Sequence, residues 1–387
     1  MRRCARFPAV RARPLEFAAC SARFLRTIVL GSAARRAAIL GVQQWRVETV
    51  RNKPPGKEGV RVNKSWFSGV PLQKLAWAAL LGNAVVILQG AFVRATGAGA
   101  GCGSRWPTCN GDIIPLGAGV ETLIEFSHRL LSAGVLVLGV WLVLRAFRVR
   151  KTQPGLFIFA TAAFVFLIIE ALLGASTVLL ELTGETVSTA RGVMVATHLV
   201  NSLLLVGTLT LTVVYARADA PWPLRLARQG GVATTLLVGL VGMLVLIFSG
   251  GIAALGNTMF PSESLRAGLA ADFDPASNIL IRLRLLHPVI AITVGLYLFL
   301  SLGLSRLLKP VSAAKRLTQV LFGVYLVQLA IGTANLAFLA PVALQLLHLA
   351  TAVLAFALLT AVSAYTLGYA AAPRSARATP LHRLNPE

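Results

Sequence analysis

The sequence predicts an all-α polytopic membrane protein. Eight transmembrane helices are expected as two tandem, pseudo-symmetric four-helix bundles, with both termini cytoplasmic. Three observations carry that expectation. The 387 residues are 56% hydrophobic and 13% charged, with mean hydropathy +0.74, far too apolar for a soluble domain. Eight apolar runs are each long enough to cross hydrocarbon. Motifs of the first half recur, in order, in the second.

Residues 1–69 form a basic leader that precedes the membrane domain. Its first 64 residues hold fifteen Lys/Arg against Glu16, Glu48 and Glu58, with no spanning run. An Arg-rich, acid-poor leader resembles an organelle transit peptide. A disordered cytoplasmic extension and a start codon read too far upstream are the other two readings. Pro54-Pro55-Gly56 breaks the chain before the membrane domain.

The expected spans are 73–93, 124–144, 156–180, 192–215, 231–254, 283–305, 317–339 and 342–369. Basic residues gather in the leader and in alternate connections: Arg145, Arg148, Arg150 and Lys151; Arg217, Arg225 and Arg228; Arg306, Lys309, Lys315 and Arg316; then the tail with Arg374, Arg377 and Arg383. The intervening connections hold Asp112 and Glu121, Glu181 and Glu185, and Glu263, Asp272 and Asp274. That alternation puts both termini in the cytoplasm. It also accounts for the net charge of +23 without nucleic acid as a partner.

The repeat divides the membrane domain. Gln89-Gly90 is matched by Ser249-Gly250, and Leu173-Gly174-Ala175-Ser176-Thr177 by Ile331-Gly332-Thr333-Ala334-Asn335. Ala196-Thr197-His198-Leu199 is matched by Leu346-Leu347-His348-Leu349. Four spans separate equivalent positions, so the units are parallel repeats. They are expected over 70–217 and 218–372, followed by a cytoplasmic tail over 373–387.

Four histidines, His128, His198, His287 and His348, each lie a few residues into an even-numbered span. At 1.5 Å rise per residue they sit roughly 6–12 Å below the outer boundary. Paired imidazoles from facing helices can ligate haem iron from both sides. Zinc is the weaker alternative, since structural zinc takes four close ligands and often Cys. A single such histidine would be an ordinary core residue; four at equivalent depths point to ligation. Gly90, Gly134, Gly174, Ala175 and Gly332 would make room for a macrocycle or allow close helix packing. His382 falls in the basic tail.

Glu125 lies one helical turn before His128, on the same face. A carboxylate there is costly to bury and marks a functional site. Its counterpart in the second half is Arg284, so the acid is expected in one half only. Arg94 and Arg129 are candidate partners for a propionate, or interfacial snorkelling residues. The glycine-rich loop after the first span carries Cys102 and Cys109 on the outer, oxidising side, which suggests a disulfide, structural or redox-active.

Together these residues resemble the haem A synthases of bacterial membranes and mitochondrial inner membranes. The resemblance rests on Val93-Arg94-Ala95-Thr96-Gly97 leading into Cys102, Trp106-Pro107 and Cys109-Asn110-Gly111, on Glu125-Phe126-Ser127-His128-Arg129, and on the three later histidines. It covers about 70–370. Gly103 and Ser104 stand where the family commonly has Pro and Asp. The resemblance implies oxidation of the C8 methyl of haem O to a formyl group by successive hydroxylations, supplying haem A to terminal oxidases. It implies haem b as cofactor on His287 and His348, haem O as substrate between His128 and His198, and Glu125 as the catalytic carboxylate. Cys102–Cys109 would be the disulfide of the cysteine-bearing bacterial subgroup. It further implies a multi-pass protein of the bacterial plasma membrane, in contact with lipid. Haem O synthase and oxidase assembly factors would be partners, and a homo-oligomer is compatible with it.

Two other classes fit parts of the pattern. A di-haem transmembrane electron carrier needs haems near both faces, whereas all four histidines lie toward one. A haem chaperone or transporter explains the histidines but leaves Glu125 without a role.

Overall fold

Burying backbone polar groups in hydrocarbon demands that each be bonded within its own segment, and helices satisfy that demand throughout this chain. The computed structural model describes residues 70–184, 186–217, 230–308 and 311–371. The leader, Glu185, the connection holding Arg225 and Arg228, Lys309, and the tail with Arg374, Arg377, His382 and Arg383 lie outside the described residues.

Among the described residues there are ten α-helices: α1 (Leu72–Ala95), α2 (Val120–Arg148), α3 (Pro154–Leu179), α4 (Thr189–Tyr215), α5 (Gly231–Met259), α6 (Leu265–Phe273), α7 (Ile279–Arg282), α8 (Leu286–Leu308), α9 (Ser312–Ala337) and α10 (Val342–Ala371). Among the described residues eight segments are long and apolar enough to cross a membrane, the sixth running over Ile279–Ser305 through α7, the 3-10 turn Leu283–Leu285 and α8. All eight expected spans are present, and among the described residues there is no strand, only one isolated bridge between Cys109 and Asp112.

Local chemistry sets the ends. Gly97, with φ 74°, turns the chain after α1 in the left-handed region that glycine adopts freely. Pro154 opens α3, where its missing N–H costs no helical bond. Ser188 caps α4, its hydroxyl accepting from the Arg191 amide at 3.1 Å. Helix α2 runs four residues past its apolar stretch to Arg148, because Arg145 and Arg148 in the last turn complement the helix dipole. Helix α6, nine residues and too short to span, lies within the connection that holds Glu263, Asp272 and Asp274, and Ser264 caps it.

The helices pack as two closed rings. α1–α2, α2–α3, α3–α4 and α4–α1 are in contact, as are α5–α8, α8–α9, α9–α10 and α10–α5. Contacts of α4 with α5 and α10, and of α1 with the same two helices, join the rings. Half of the apolar window of α4 is enclosed, the highest share of any span, because four other helices surround it. Two apolar cores form, around Leu142, Leu156 and Leu205 and around Leu236, Met243 and Leu302, and each borrows across the junction: Ala361 and Ala364 of α10 join the first and Leu203 of α4 the second. At the junction Gly251 lies so close to α4 that an added Cβ would stand 3.0 Å from the Ala196 Cα. Small residues allow this approach where lipid provides no hydrophobic drive.

Gly251→Leu is therefore expected to push α5 from α4 and lower stability by about 1–3 kcal/mol. Thermal unfolding in detergent measures this. Gly323→Leu, at a glycine with nothing within 4 Å of a Cβ, should leave the melting temperature unchanged or raised.

Candidate functional site

All four intramembrane histidines line one cavity of about 1530 Å³ that runs through both rings. Each imidazole lies against a glycine of the preceding long helix. A Cβ added at Gly90, Gly174, Gly250 or Gly332 would stand 3.0, 3.5, 2.9 or 3.0 Å from Cε1 of His128, His198, His287 or His348 respectively. The four glycines occupy repeat-equivalent positions, so one packing solution recurs four times. Gly134 does not take part: it is exposed, with nothing near its absent Cβ. Ala175 lines the cavity and is buried.

The ring nitrogens are incompletely satisfied. Ser249 Oγ lies 3.0 Å from His287 Nδ1, and Gln328 Nε2 lies 3.2 Å from His348 Nε2. Glu170 Oε1 lies 3.4 Å from His198 Nε2. The Nδ1 atoms of His128, His198 and His348 are buried without a partner, an uncommon state for a polar atom. The His287 and His348 rings stand nearly perpendicular, planes 79° apart, with centroids 6.2 Å apart. Two metal–imidazole bonds of about 2 Å plus two ring half-widths of about 1.1 Å also span roughly 6 Å. The residues of the second ring thus fit a metal held between two imidazoles, as in bis-histidine haem. Among the described residues no cluster of three or more His, Cys, Asp or Glu could hold a metal, so a closed four-ligand zinc site is not formed.

Glu125, 4% exposed, also lines the cavity. Its Oε2 accepts from the Cys102 amide at 2.9 Å, and its Oε1 from Arg129 Nη2 at 2.5 Å and Nε at 3.2 Å. Arg129 Nη1 donates in turn to the carbonyls of Arg105 and Thr108, each at 2.8 Å. Arg129 is therefore committed to Glu125 and the loop. Cys102 and Cys109 are disulfide-bonded and buried. The loop reaches the carboxylate because Gly101 lets the two backbones touch: a Cβ there would lie 2.6 Å from Glu121 and Thr122 backbone atoms.

The second ring answers with reversed charge. Arg284 donates to Asp272 Oδ1 through Nη2 at 2.6 Å and Nε at 2.8 Å, and through Nη1 to Asn257 at 3.0 Å. The acid is thus not confined to one half at the cavity edge. Asp272 comes from α6, a connection whose contacts no repeat alignment of the spans could show. What is peculiar to the first ring at this edge is that the carboxylate, Glu125, sits on the histidine-bearing helix itself.

Glu170 was missed as a site residue. It is held by Asn201 Nδ2 at 2.5 Å and by the Ser202 hydroxyl, beside His198. The signal was present: a carboxylate in the middle of an apolar span, four residues before Gly174, as Gln328 stands four before Gly332. Arg94 reaches into the second ring, donating to the Ala254 carbonyl at 2.8 Å and to Gln345 Oε1 at 2.8 Å.

Residues 73–360 match a family model described as cytochrome oxidase assembly protein. The chain belongs to that family. It is 45% identical over 278 residues to a Thermus thermophilus protein named protoheme IX farnesyltransferase, an alignment of 71% of this chain and 45% of that protein. It is 40% identical over 102 residues to the heme A synthase of Halalkalibacterium halodurans, covering 25% of this chain and 33% of that one. The corresponding match to the Bacillus mycoides heme A synthase is 39% over 107 residues, or 27% and 34%. The chain spans less than half the length of these relatives. With eight apolar helices and bacterial relatives, this cytochrome oxidase assembly family member is a multi-pass bacterial membrane protein.

Alkylation before and after reduction tests the loop. Cys102 and Cys109 should resist iodoacetamide in the native protein and both be modified after reductant, as read by peptide mass. Modification without reductant would contradict the disulfide.

Proposed function

We propose that this protein oxidises the C8 methyl of haem O to a formyl group, giving haem A, with haem b as its resident cofactor. The observation that carries this reading is one cavity holding two pairs of imidazoles, with a fixed carboxylate on the helix of only one pair. The heme A synthase relatives and the family match support it. In this reading 70–217 and 218–372 are the two units, and loop charge places both termini in the cytoplasm.

His128 and His198 flank the substrate, and His287 and His348 hold haem b. When bound, haem b supplies the redox chemistry. The chain's own residues orient and polarise. Each of two hydroxylations at one carbon adds an oxygen from water and releases two electrons and two protons, the electrons passing to an external electron acceptor; the resulting gem-diol loses water to leave the formyl group. Glu125 is positioned by the Cys102 amide and Arg129, so it need not reorganise during the reaction. Its charge favours positive charge developing at the ring methyl, and its remaining lone pairs can accept a hydrogen bond from water or from the hydroxylated carbon. The apolar lining excludes bulk water and strengthens that interaction. Arg94 takes the role of propionate partner, and Arg129, paired to Glu125, the role of positioning it. The Cys102–Cys109 disulfide holds the loop whose amide contacts the carboxylate. A haem O synthase would supply the substrate and oxidase assembly factors would receive the product.

The Thermus name raises a second reading, prenyl transfer to haem. Activating a prenyl diphosphate takes Mg²⁺ held by carboxylates near the phosphates. Among the described residues no such cluster is formed, and 55% of that relative lies outside the alignment. Oxidation of an already prenylated haem is favoured.

Haem extraction with mass analysis, from cells making haem O with and without this protein, tests the reading. Haem A should appear, and should fall at least a hundredfold in Glu125→Ala. Unchanged haem O, with bis-histidine haem spectra retained, would instead indicate an electron carrier or a chaperone.

A further inference from the structure

Four arginines line the cavity: Arg94, Arg129, Arg191 and Arg284. Two are neutralised within the protein, Arg129 by Glu125 and Arg284 by Asp272. The other two are not. Arg94 donates only to neutral acceptors, the Ala254 carbonyl, Thr258 Oγ1 at 2.5 Å and Gln345 Oε1. Arg191, 4% exposed, donates to the Thr186 carbonyl and Met259 Sδ, each at 3.0 Å, while its buried Nε has no partner. Among the described residues neither is ion-paired with a carboxylate, and both reach the same end of α5, Arg94 at Ala254 and Thr258 and Arg191 at Met259.

That arrangement works against local preference twice. A cation in the first turn of a helix opposes the helix dipole, and Arg191 occupies that position in α4. Enclosing neighbouring like charges without a counter-ion is unfavourable in any low-dielectric site. Both guanidiniums face the seam between the rings. Arg94 comes from α1 and bonds to α5 and α10; Arg191 comes from α4 and touches the end of α5.

We propose that Arg94 and Arg191 together form a carboxylate anchor at the seam, for a macrocycle that carries carboxylates on its edge and offers its centre to the imidazoles. The proposal rests on the haem reading above and adds Arg191, a residue with no other assignment. A guanidinium can hold a carboxylate through two parallel hydrogen bonds, and the orphaned Nε of Arg191 is one such donor. Two anchors serve a dicarboxylate. Arg129, held by Glu125, is not one of them.

The full-length protein, stripped of haem in detergent, can be titrated with haem b and with haem b dimethyl ester, following the bis-imidazole absorbance. The wild type should bind the diacid at least about tenfold more tightly than the diester. Arg191→Gln and Arg94→Gln should each weaken diacid binding about tenfold and leave diester binding unchanged. The haem-free Arg191→Gln protein should melt no lower than wild type, because an unpaired buried charge has been removed. Equal affinity of wild type for the two ligands would overturn the anchor while leaving the haem reading intact. Equal weakening of both ligands by the substitutions, or a lower melting temperature of haem-free Arg191→Gln, would assign the arginines a structural role instead. Absence of a bis-imidazole spectrum with either ligand would overturn the haem reading and the anchor together.

Discussion

A polar ring inside an apolar bundle must find partners for both of its nitrogens or be held where a ligand can complete them. The structure depends on how that constraint is met four times. Each imidazole lies against a glycine of the preceding long helix, Gly90, Gly174, Gly250 or Gly332. The missing Cβ lets the ring lie close to the neighbouring backbone and point into the cavity. Nearby polar groups, Ser249, Gln328 and Glu170, steady three of the rings without satisfying every nitrogen. Preorganised imidazoles of this kind are held by rigid helices rather than loops, which keeps their separation fixed.

Around that frame, charge is distributed unevenly between two rings of similar packing. The first ring carries its acid on the helix, as Glu125, with Arg129 one turn later. The second carries Arg284 in the 3-10 turn just before α8 and takes its acid, Asp272, from the connection. The repeat builds two similar rings around one cavity; inverting one ion pair makes its two ends chemically different. His198 is paired with a carboxylate and His348 with an amide, through Glu170 and Gln328 at equivalent positions. The asymmetry therefore lies in a few polar side chains, while the apolar packing stays alike.

Much of the fold was legible in the sequence because bilayer thickness imposes a length on every spanning segment. Eight runs of sufficient length and apolarity could be read without any tertiary information, and all eight are helices. The ends were less legible. Helix α2 continues to Arg148 through a basic turn, and α6 is too short to register as a span. The histidines and Glu125 were visible for a related reason: an ionisable residue in an apolar run is conspicuous against its surroundings. Glu170 carries the same signal, an acid within an apolar run, but its nearness to His198 arises only when α3 packs on α4.

By itself the sequence determined the eight spans, the order of the repeats and the identity of the groups that can bind metal or carry charge. These follow from local properties, namely hydropathy, spacing and residue type. Only the tertiary structure decided which charges cancel. Arg129 and Glu125 are near neighbours on one helix, yet Arg284 meets Asp272 from another element, and Arg94 and Arg191, about a hundred residues apart in sequence, come to share one seam. Electrostatic pairing depends on distance in space and on burial, and neither is written in the order of residues along the chain.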